Sequence, residues 1–138
     1  MKRIHLYLLL LMMIAALGFT ACGPKPTAIK KIDPSMLKEI EGSDLKQVIL
    51  TAKAAERIGV QTVPVNGLVV PYAAVIYDIE GHAWVYTNPE PLMFVRAPIV
   101  IDRIEGDQAF LLEGLDSDAP IVTVGVAEIY GAETGVSK

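Results

Sequence analysis

The sequence predicts a small, mainly β domain, either a closed β-barrel or a sandwich, with one short helix. Between residues 46 and 132, short apolar segments recur at regular spacing, and turn-forming residues separate them. Such a pattern is typical of all-β barrels and sandwiches. Closure is expected because an open sheet would expose apolar strand edges. A signal peptide and a flexible tether are expected before this domain.

Residues 1–21 have the layout of a secretory signal. Lys2 and Arg3 precede a nearly unbroken apolar stretch at residues 6–16, and the small residues Thr20 and Ala21 follow. A charged start, an apolar middle and a small-residue cleavage region define such signals. We therefore expect residues 1–21 to be removed on export.

Cys22 comes directly after this signal. Residues 19–22 (FTAC) resemble the lipobox of bacterial lipoproteins. The resemblance implies a lipid on Cys22, and two or more acyl chains anchor a protein stably to a membrane. Two alternatives remain open. In the first, residues 4–21 stay attached as a short transmembrane anchor, although a transmembrane helix needs ~20 apolar residues. In the second, Cys22 is an ordinary thiol. It is the only cysteine, so no disulfide forms within the chain.

Residues 22–45 are expected to form the tether. They contain Pro24, Pro26 and Pro34 with charges of both signs, a composition that favours an extended, semi-rigid segment. At residues 36–40 the pattern leaves open whether a single helical turn forms. After the tether, the domain is expected at residues 46–132 and a C-terminal tail at residues 133–138.

The chain without its signal is acidic. Its 12 basic and 16 acidic residues become 10 and 16 once Lys2 and Arg3 are removed, and residues 58–138 contain three basic and eleven acidic ones. A surface of this charge repels phosphate backbones and anionic headgroups. Nucleic acid is therefore excluded as a partner.

The domain begins with a strand at residues 48–50 and a short helix. Thr51 offers a hydroxyl to cap the helix at residues 52–58, and Gly59 is placed to end it in a left-handed conformation. Further strands are expected at residues 60–65, 69–77, 83–87, 93–101, 109–112 and 121–126. Turns are expected at residues 66–67, 78–81, 88–91, 105–107 and 114–118. In the strand at 93–101, alternation predicts one buried face and one exposed face that carries Arg96.

Several segments resemble one protein family. They are VPYAAV at residues 70–75, GHAWVY at 81–86, EGL at 113–115 and IVTVG at 121–125, with residues 49–65 upstream. Together they resemble the membrane-proximal domain of periplasmic adaptor proteins, the HlyD-like membrane-fusion subunits of efflux pumps of the resistance-nodulation-division (RND) type. In that family a barrel, a lipoyl-like domain and a helical hairpin separate the upstream segment from the others.

In this chain only residues 66–68 lie between the two parts. The resemblance therefore implies a stand-alone membrane-proximal domain that lacks the remainder of an adaptor. It also implies a role in efflux, with an RND transporter or another adaptor subunit as the partner.

No pattern in the sequence indicates catalysis, and we expect neither an enzyme nor a cofactor. His82 is the only histidine after the signal and has no second His or Cys nearby, so it is expected to be a turn residue and no metal site is expected. The serines lie outside any nucleophile-elbow pattern.

Trp84 and Tyr86 are candidates for a surface or cleft, with core packing as the alternative for each. Together with Arg96 they form the candidate interface set. Arg96 is also expected to share a charged strand face with Asp102 and Arg103, where surface ion pairs contribute under ~1 kcal/mol.

Two functions are therefore expected from the sequence. The first is a non-catalytic interaction module in efflux, held in the bacterial cell envelope by the lipid on Cys22 and facing the periplasm. Because Gly23 is not the Asp that retains enterobacterial lipoproteins at the inner membrane, the outer membrane is favoured. The alternative is an envelope lipoprotein that binds a small ligand or a metal.

Overall fold

The computed structural model describes residues 33–65, 67–115 and 118–135. The predicted signal peptide, Cys22 and the tether up to residue 32 lie outside the described residues, as do Asn66 of one predicted turn and Asp116 and Ser117 of another. Within the described part of the chain, neither helix has the length and apolar character needed to cross a membrane.

Ten strands and two α-helices make up the described chain. The strands are β1 Ser35–Glu39, β2 Lys46–Leu50, β3 Gln61–Val63, β4 Val69–Pro71, β5 Ile76–Tyr77, β6 Ala83–Glu90, β7 Met93–Ile99, β8 Ile101–Glu105, β9 Gln108–Leu111 and β10 Ile121–Val124. The helices are α1 Ala52–Ile58 and α2 Val126–Thr134, and a 3-10 turn spans Tyr72–Ala74.

The strands form two antiparallel sheets. The larger has the order β1-β2-β7-β6-β10-β3, with β5 paired to β6, and the smaller has the order β4-β9-β8. The prediction of a mainly β fold is confirmed. A closed barrel is not found among the described residues, because β1 and β3 end the larger sheet and each pairs with one neighbour.

Two layers cover the larger sheet, and this explains why it need not close. The helix-side core lies between the sheet and the two helices; its buried residues are Val48, Leu50, Ala54, Tyr86, Phe94, Val122, Val126 and Ile129. The sheet-side core lies between the two sheets; its buried residues are Val70, Ala74, Val85, Ile99, Ala109, Leu111 and Ile121. Both faces therefore bury apolar surface without closure into a barrel.

Helix α1 forms as predicted. The Thr51 hydroxyl accepts a hydrogen bond from the Ala54 N–H at 3.2 Å, and Gly59 ends the helix with φ of 70°. Both caps satisfy backbone groups that a seven-residue helix otherwise leaves without partners. Ala54 is the buried residue of α1 and packs in the helix-side core.

Helix α2 was missed by the sequence prediction, which continued a strand through residue 126 and placed a tail after residue 132. The strand ends at Val124. Gly125 then has φ of 91°, and a Cβ there would lie 2.5 Å from Ile58 Cγ2. Only glycine fits this bend without strain, so the single-helix prediction is corrected to two helices.

Three strand boundaries also differ from the prediction. The strand expected at residues 69–77 is interrupted by the 3-10 turn Tyr72–Ala74. The turn expected at residues 88–91 falls at Pro91 and Leu92, where Leu92 has φ of 66°. Strand β6 continues to Glu90, and its pairing with β7 is irregular between Thr87 and Glu90. The strand expected at 93–101 ends at Ile99.

Strand β7 is buried on both faces rather than on one. Phe94 on the face expected to be exposed is 2% exposed, because the helices cover that side.

Regular structure also begins earlier than residue 46. Strand β1, within the predicted tether, pairs with β2 from Ser35 opposite Leu50 to Glu39 opposite Lys46.

Candidate functional site

The three candidate interface residues lie together on the helix side of the larger sheet. Trp84 and Tyr86 are two positions apart on β6, so their side chains point to the same face. Arg96 on β7 lies directly opposite Tyr86 in the antiparallel register. The sheet therefore brings these three side chains together.

Glu133 of α2 lies at the centre of this group. The Tyr86 hydroxyl donates a hydrogen bond to Glu133 Oε2. Arg96 Nε lies 3.0 Å from Glu133 Oε1 and 2.9 Å from Oε2. The Glu133 side chain is only 4% exposed, so its carboxylate depends on these two partners for the interactions that water would otherwise supply.

Two aromatic rings flank the Arg96 guanidinium. Its Cζ lies 4.7 Å from the centre of the Trp84 ring and 5.8 Å from that of Tyr130 on α2. Both distances allow attraction between the cation and the ring faces. We call Trp84, Tyr86, Arg96, Tyr130 and Glu133 the Glu133 cluster.

The Glu133 cluster fastens α2 to the sheet. Burial, and then the hydrogen bond to Glu133, raise the pKa of Tyr86 well above its usual range. Tyr86 therefore stays protonated and acts as a donor at physiological pH. Because Tyr86 is fully buried and the Arg96 side chain is 16% exposed, their contacts here are internal. An interface role for the trio stays a prediction.

The hairpin between β5 and β6 is organised by Asp78. Its Oδ1 accepts hydrogen bonds from the backbone N–H groups of Glu80 and His82, each at 2.9 Å. Its Oδ2 accepts one from Trp84 Nε1 at 3.0 Å and lies 3.2 Å from His82 Nδ1. Asp78 therefore connects the hairpin tip to the Glu133 cluster through Trp84.

These contacts also set the ionisation of Asp78. Desolvation raises its pKa, but the hydrogen bonds from Trp84, from the backbone of His82 and Glu80 and from the His82 ring outweigh that effect. The pKa of Asp78 is lowered to about 2. The carboxylate is thus ionised under all physiological conditions.

Asp78, Glu80 and His82 offer ligand atoms that lie within 4.8 Å of one another. Such a spacing is compatible with a cation, yet both Asp78 oxygens already accept hydrogen bonds within the hairpin. His82 follows the tip and its side chain is 65% exposed. The arrangement is that of a hairpin whose carboxylate stabilises the turn.

Arg96, Asp102 and Arg103, which were expected to share a charged strand face, lie in two separate places. Arg96 is in the Glu133 cluster. Arg103 on β8 binds Asp102 at 2.9 Å and Glu105 at 2.7 Å, and its Cζ lies 4.0 Å from the centre of the Phe110 ring. These exposed partners raise the pKa of Arg103, with the hydrogen bond to Glu105 as the main cause.

No family model, curated protein or solved structure matches this chain. The likeness to periplasmic adaptors accordingly stays a hypothesis that rests on the residues quoted above.

Sequence reasoning missed Tyr130 and Glu133, although a signal for them exists. Val126, Ile129, Tyr130 and Glu133 follow helical spacing, and they place one face of α2 on the sheet. A glutamate on the apolar stripe of a short helix, together with an arginine on a strand that the helix covers, indicates a buried ion pair.

Proposed function

We propose that this protein is a non-catalytic interaction module of the bacterial cell envelope, anchored by a lipid on Cys22 and acting in efflux. The observation that carries the proposal is the pairing of two chain segments. Of the segments that resemble the two separate contributions to an adaptor's membrane-proximal domain, the upstream one supplies β3 and the downstream ones supply β6 and β10 of the larger sheet. Residues 70–71 lie in β4 of the smaller sheet.

The pairing involves the last strand of the upstream segment. Strand β3 pairs with β10, with Val63 opposite Ile121 and Thr62 opposite Val122. Between the segments the chain needs only residues 64–68 to pass from β3 to β4. A domain assembled from two segments across so short a connection is what the resemblance implies.

The location rests on the N-terminal sequence. Residues 1–21 have the layout of a signal, and Cys22 stands where a lipoprotein is lipidated. Gly23 favours the outer membrane over the inner one. The partner in this proposal is an RND transporter or another adaptor subunit.

Lipid attachment is tested with the full chain expressed in a bacterial host that is fed an alkyne fatty acid. We expect label on the wild type and none on Cys22→Ser, which should leave the membrane fraction. A matched Thr20→Ser variant should keep the label, because it leaves the cysteine intact. Equal labelling of wild type and Cys22→Ser contradicts the anchor.

The interaction itself is tested by extraction of the wild-type protein in mild detergent, followed by purification and mass spectrometry. We expect recovery in a complex with an envelope transport protein at fixed stoichiometry. Recovery as a monomer without partners, at several detergent concentrations, contradicts the proposal.

A further inference from the structure

We propose that a band of exposed apolar side chains at one end of the two sheets is the docking surface of this protein, and that it binds a protein segment carrying an apolar side chain flanked by Lys or Arg. This inference rests on the proposed function and adds the surface and the chemistry of the partner. We call Tyr72, Tyr77, Val100 and Leu112 the apolar band.

The members of the apolar band are contiguous. Burial, and then the neighbouring Tyr72 side chain, raise the pKa of Tyr77, so the two tyrosines lie beside each other. Tyr77 and Val100 line the same shallow groove of about 570 Å³, which Trp84 and Pro98 also line. The Leu112 N–H donates to the Val100 carbonyl at 2.9 Å, so the band continues from the larger sheet onto the smaller.

Each member exposes a large part of its surface. The exposed fractions are 40% for Tyr72, 47% for Tyr77, 55% for Val100 and 58% for Leu112. Single exposed apolar residues are common, but a contiguous set of this kind marks an interaction surface. Tyrosine and tryptophan beside a groove are also the residue types that protein interfaces favour.

Fixed geometry lowers the cost of binding at this surface. The Asp78 carboxylate holds the hairpin after Tyr77 through backbone hydrogen bonds to Glu80 and His82, and it binds the Trp84 indole of the groove. A partner therefore docks without having to order the hairpin, and this saves conformational entropy.

The charges at the rim define the partner. Glu80 at one end has a side chain that is 73% exposed, and Glu113 follows Leu112 at the other end and is exposed. In the described chain beyond residue 58, the two basic side chains are Arg96 and Arg103, and both are paired with carboxylates. The lining of the groove also contains no Lys or Arg, so the charged side chains at the two ends of the band are acidic.

An acidic rim favours one class of occupant. A second copy of this chain presents the same acidic rim, and like charges across an interface oppose binding. An anionic lipid surface meets the same repulsion. A basic and apolar protein segment complements both the band and its rim.

The first test is photo-crosslinking in cells, with a benzophenone amino acid placed at Tyr77 or Val100 of the full chain. Met36 and Val124, which are 67% and 40% exposed, serve as control positions. We expect crosslinks from 77 and 100 to another protein, through a peptide that contains Lys or Arg next to an apolar residue.

The second test changes the surface while the crosslinker stays at Val100. Tyr77→Ser is expected to lower the crosslink yield at least about tenfold, as truncation of an interface anchor does. Glu80→Lys with Glu113→Lys is expected to lower it about fivefold at low salt. Glu56→Lys with Glu128→Lys, at exposed positions of the two helices, is the matched charge control and should leave the yield unchanged. Thermal melting checks that every variant is folded.

The outcomes separate this inference from the proposed function. Crosslinks to a protein from Met36 or Val124 alone overturn the apolar band and leave the interaction module intact. Absence of protein crosslinks from all four positions overturns both. A crosslink from 77 or 100 to lipid, to a second copy or to residues 22–32 of the same chain overturns the assigned partner.

Discussion

The two faces of the larger sheet are held in different ways. The sheet-side core consists of aliphatic residues, with Val85 and Ile121 fully buried between the sheets. The helix-side core has a comparable apolar set but encloses Glu133, whose carboxylate binds Tyr86 and Arg96. Neighbouring positions on β6, Val85 and Tyr86, therefore serve two different kinds of packing.

This difference shows what each layer needs from the sequence. Apolar packing between sheets tolerates many arrangements of similar volume. A buried carboxylate tolerates few, because each unmet hydrogen bond is costly. We infer that the Glu133 cluster fixes the rotation and position of α2 on the sheet, while the apolar residues around it provide most of the burial.

The largest effect is expected in the sheet-side core. Ile121→Ala removes a fully buried side chain and should lower the free energy of unfolding by about 4 kcal/mol, since the cavity adds to the lost transfer energy. Urea unfolding followed by circular dichroism measures it. Val124→Ala on the same strand is the control and should stay within about 0.5 kcal/mol. Equal effects at the two positions contradict the assigned burial.

The next effect tests the polar side of the comparison. Glu133→Ala leaves Arg96 and the Tyr86 hydroxyl without their acceptor and should cost about 3 kcal/mol. Glu128→Ala removes an exposed carboxylate from the same helix and should cost under about 0.5 kcal/mol. The same urea titration compares them. If both variants unfold alike, the Glu133 cluster does not hold α2 in place.

A smaller effect isolates the hydrogen bond of Tyr86. Tyr86→Phe keeps the ring and should cost about 2 kcal/mol, the range for a hydrogen bond to a charged group. The pKa of Tyr86 is raised in the folded protein. The stability that Tyr86 contributes is therefore fully present below pH ~10, the pKa of tyrosine in the unfolded chain. The difference between wild type and Tyr86→Phe should therefore shrink above pH 10. Tyr77→Phe is the matched control on the surface.

The smallest effect concerns the hairpin that adjoins both faces. The folded pKa of Asp78 is about 2, against an ordinary value of 3.8. The contribution of the Asp78 carboxylate to the free energy of unfolding is therefore constant above pH ~4 and is lost as the pH falls from 4 to 2. Fluorescence of Trp84, the only tryptophan, should report this change in the wild type. Asp78→Asn should lack it, whereas Glu80→Gln should keep it.

Local signals allowed much of the fold to be predicted. The bounds of helix α1 are determined by local residues, since Thr51 caps its start and Gly59 ends it. Strands β2, β6 and β9 follow from apolar patterns and turn residues alone. These elements depend on contacts between near neighbours, which a single sequence displays directly.

Other parts depended on distant contacts. Residues 121–126 are continuously apolar, and only the close approach of Gly125 to Ile58 shows why the strand ends before α2. Phe94 was expected to be exposed because the covering helix was not recognised. Of the candidate site, Trp84, Tyr86 and Arg96 were selected from the sequence. Glu133, which Tyr86 and Arg96 both contact, lies 37 residues beyond Arg96.

Helix α2 is also the last element of the described chain. Each strand of the described residues precedes Val126, so a chain that ended at Gly125 would contain the residues of both sheets but not those that cover the helix side. In such a chain Arg96 and the Tyr86 hydroxyl would face an open apolar groove without their carboxylate. Ile129 and Glu133 occupy this groove once α2 packs on the sheet. The last helix of the described chain thus completes the helix-side core.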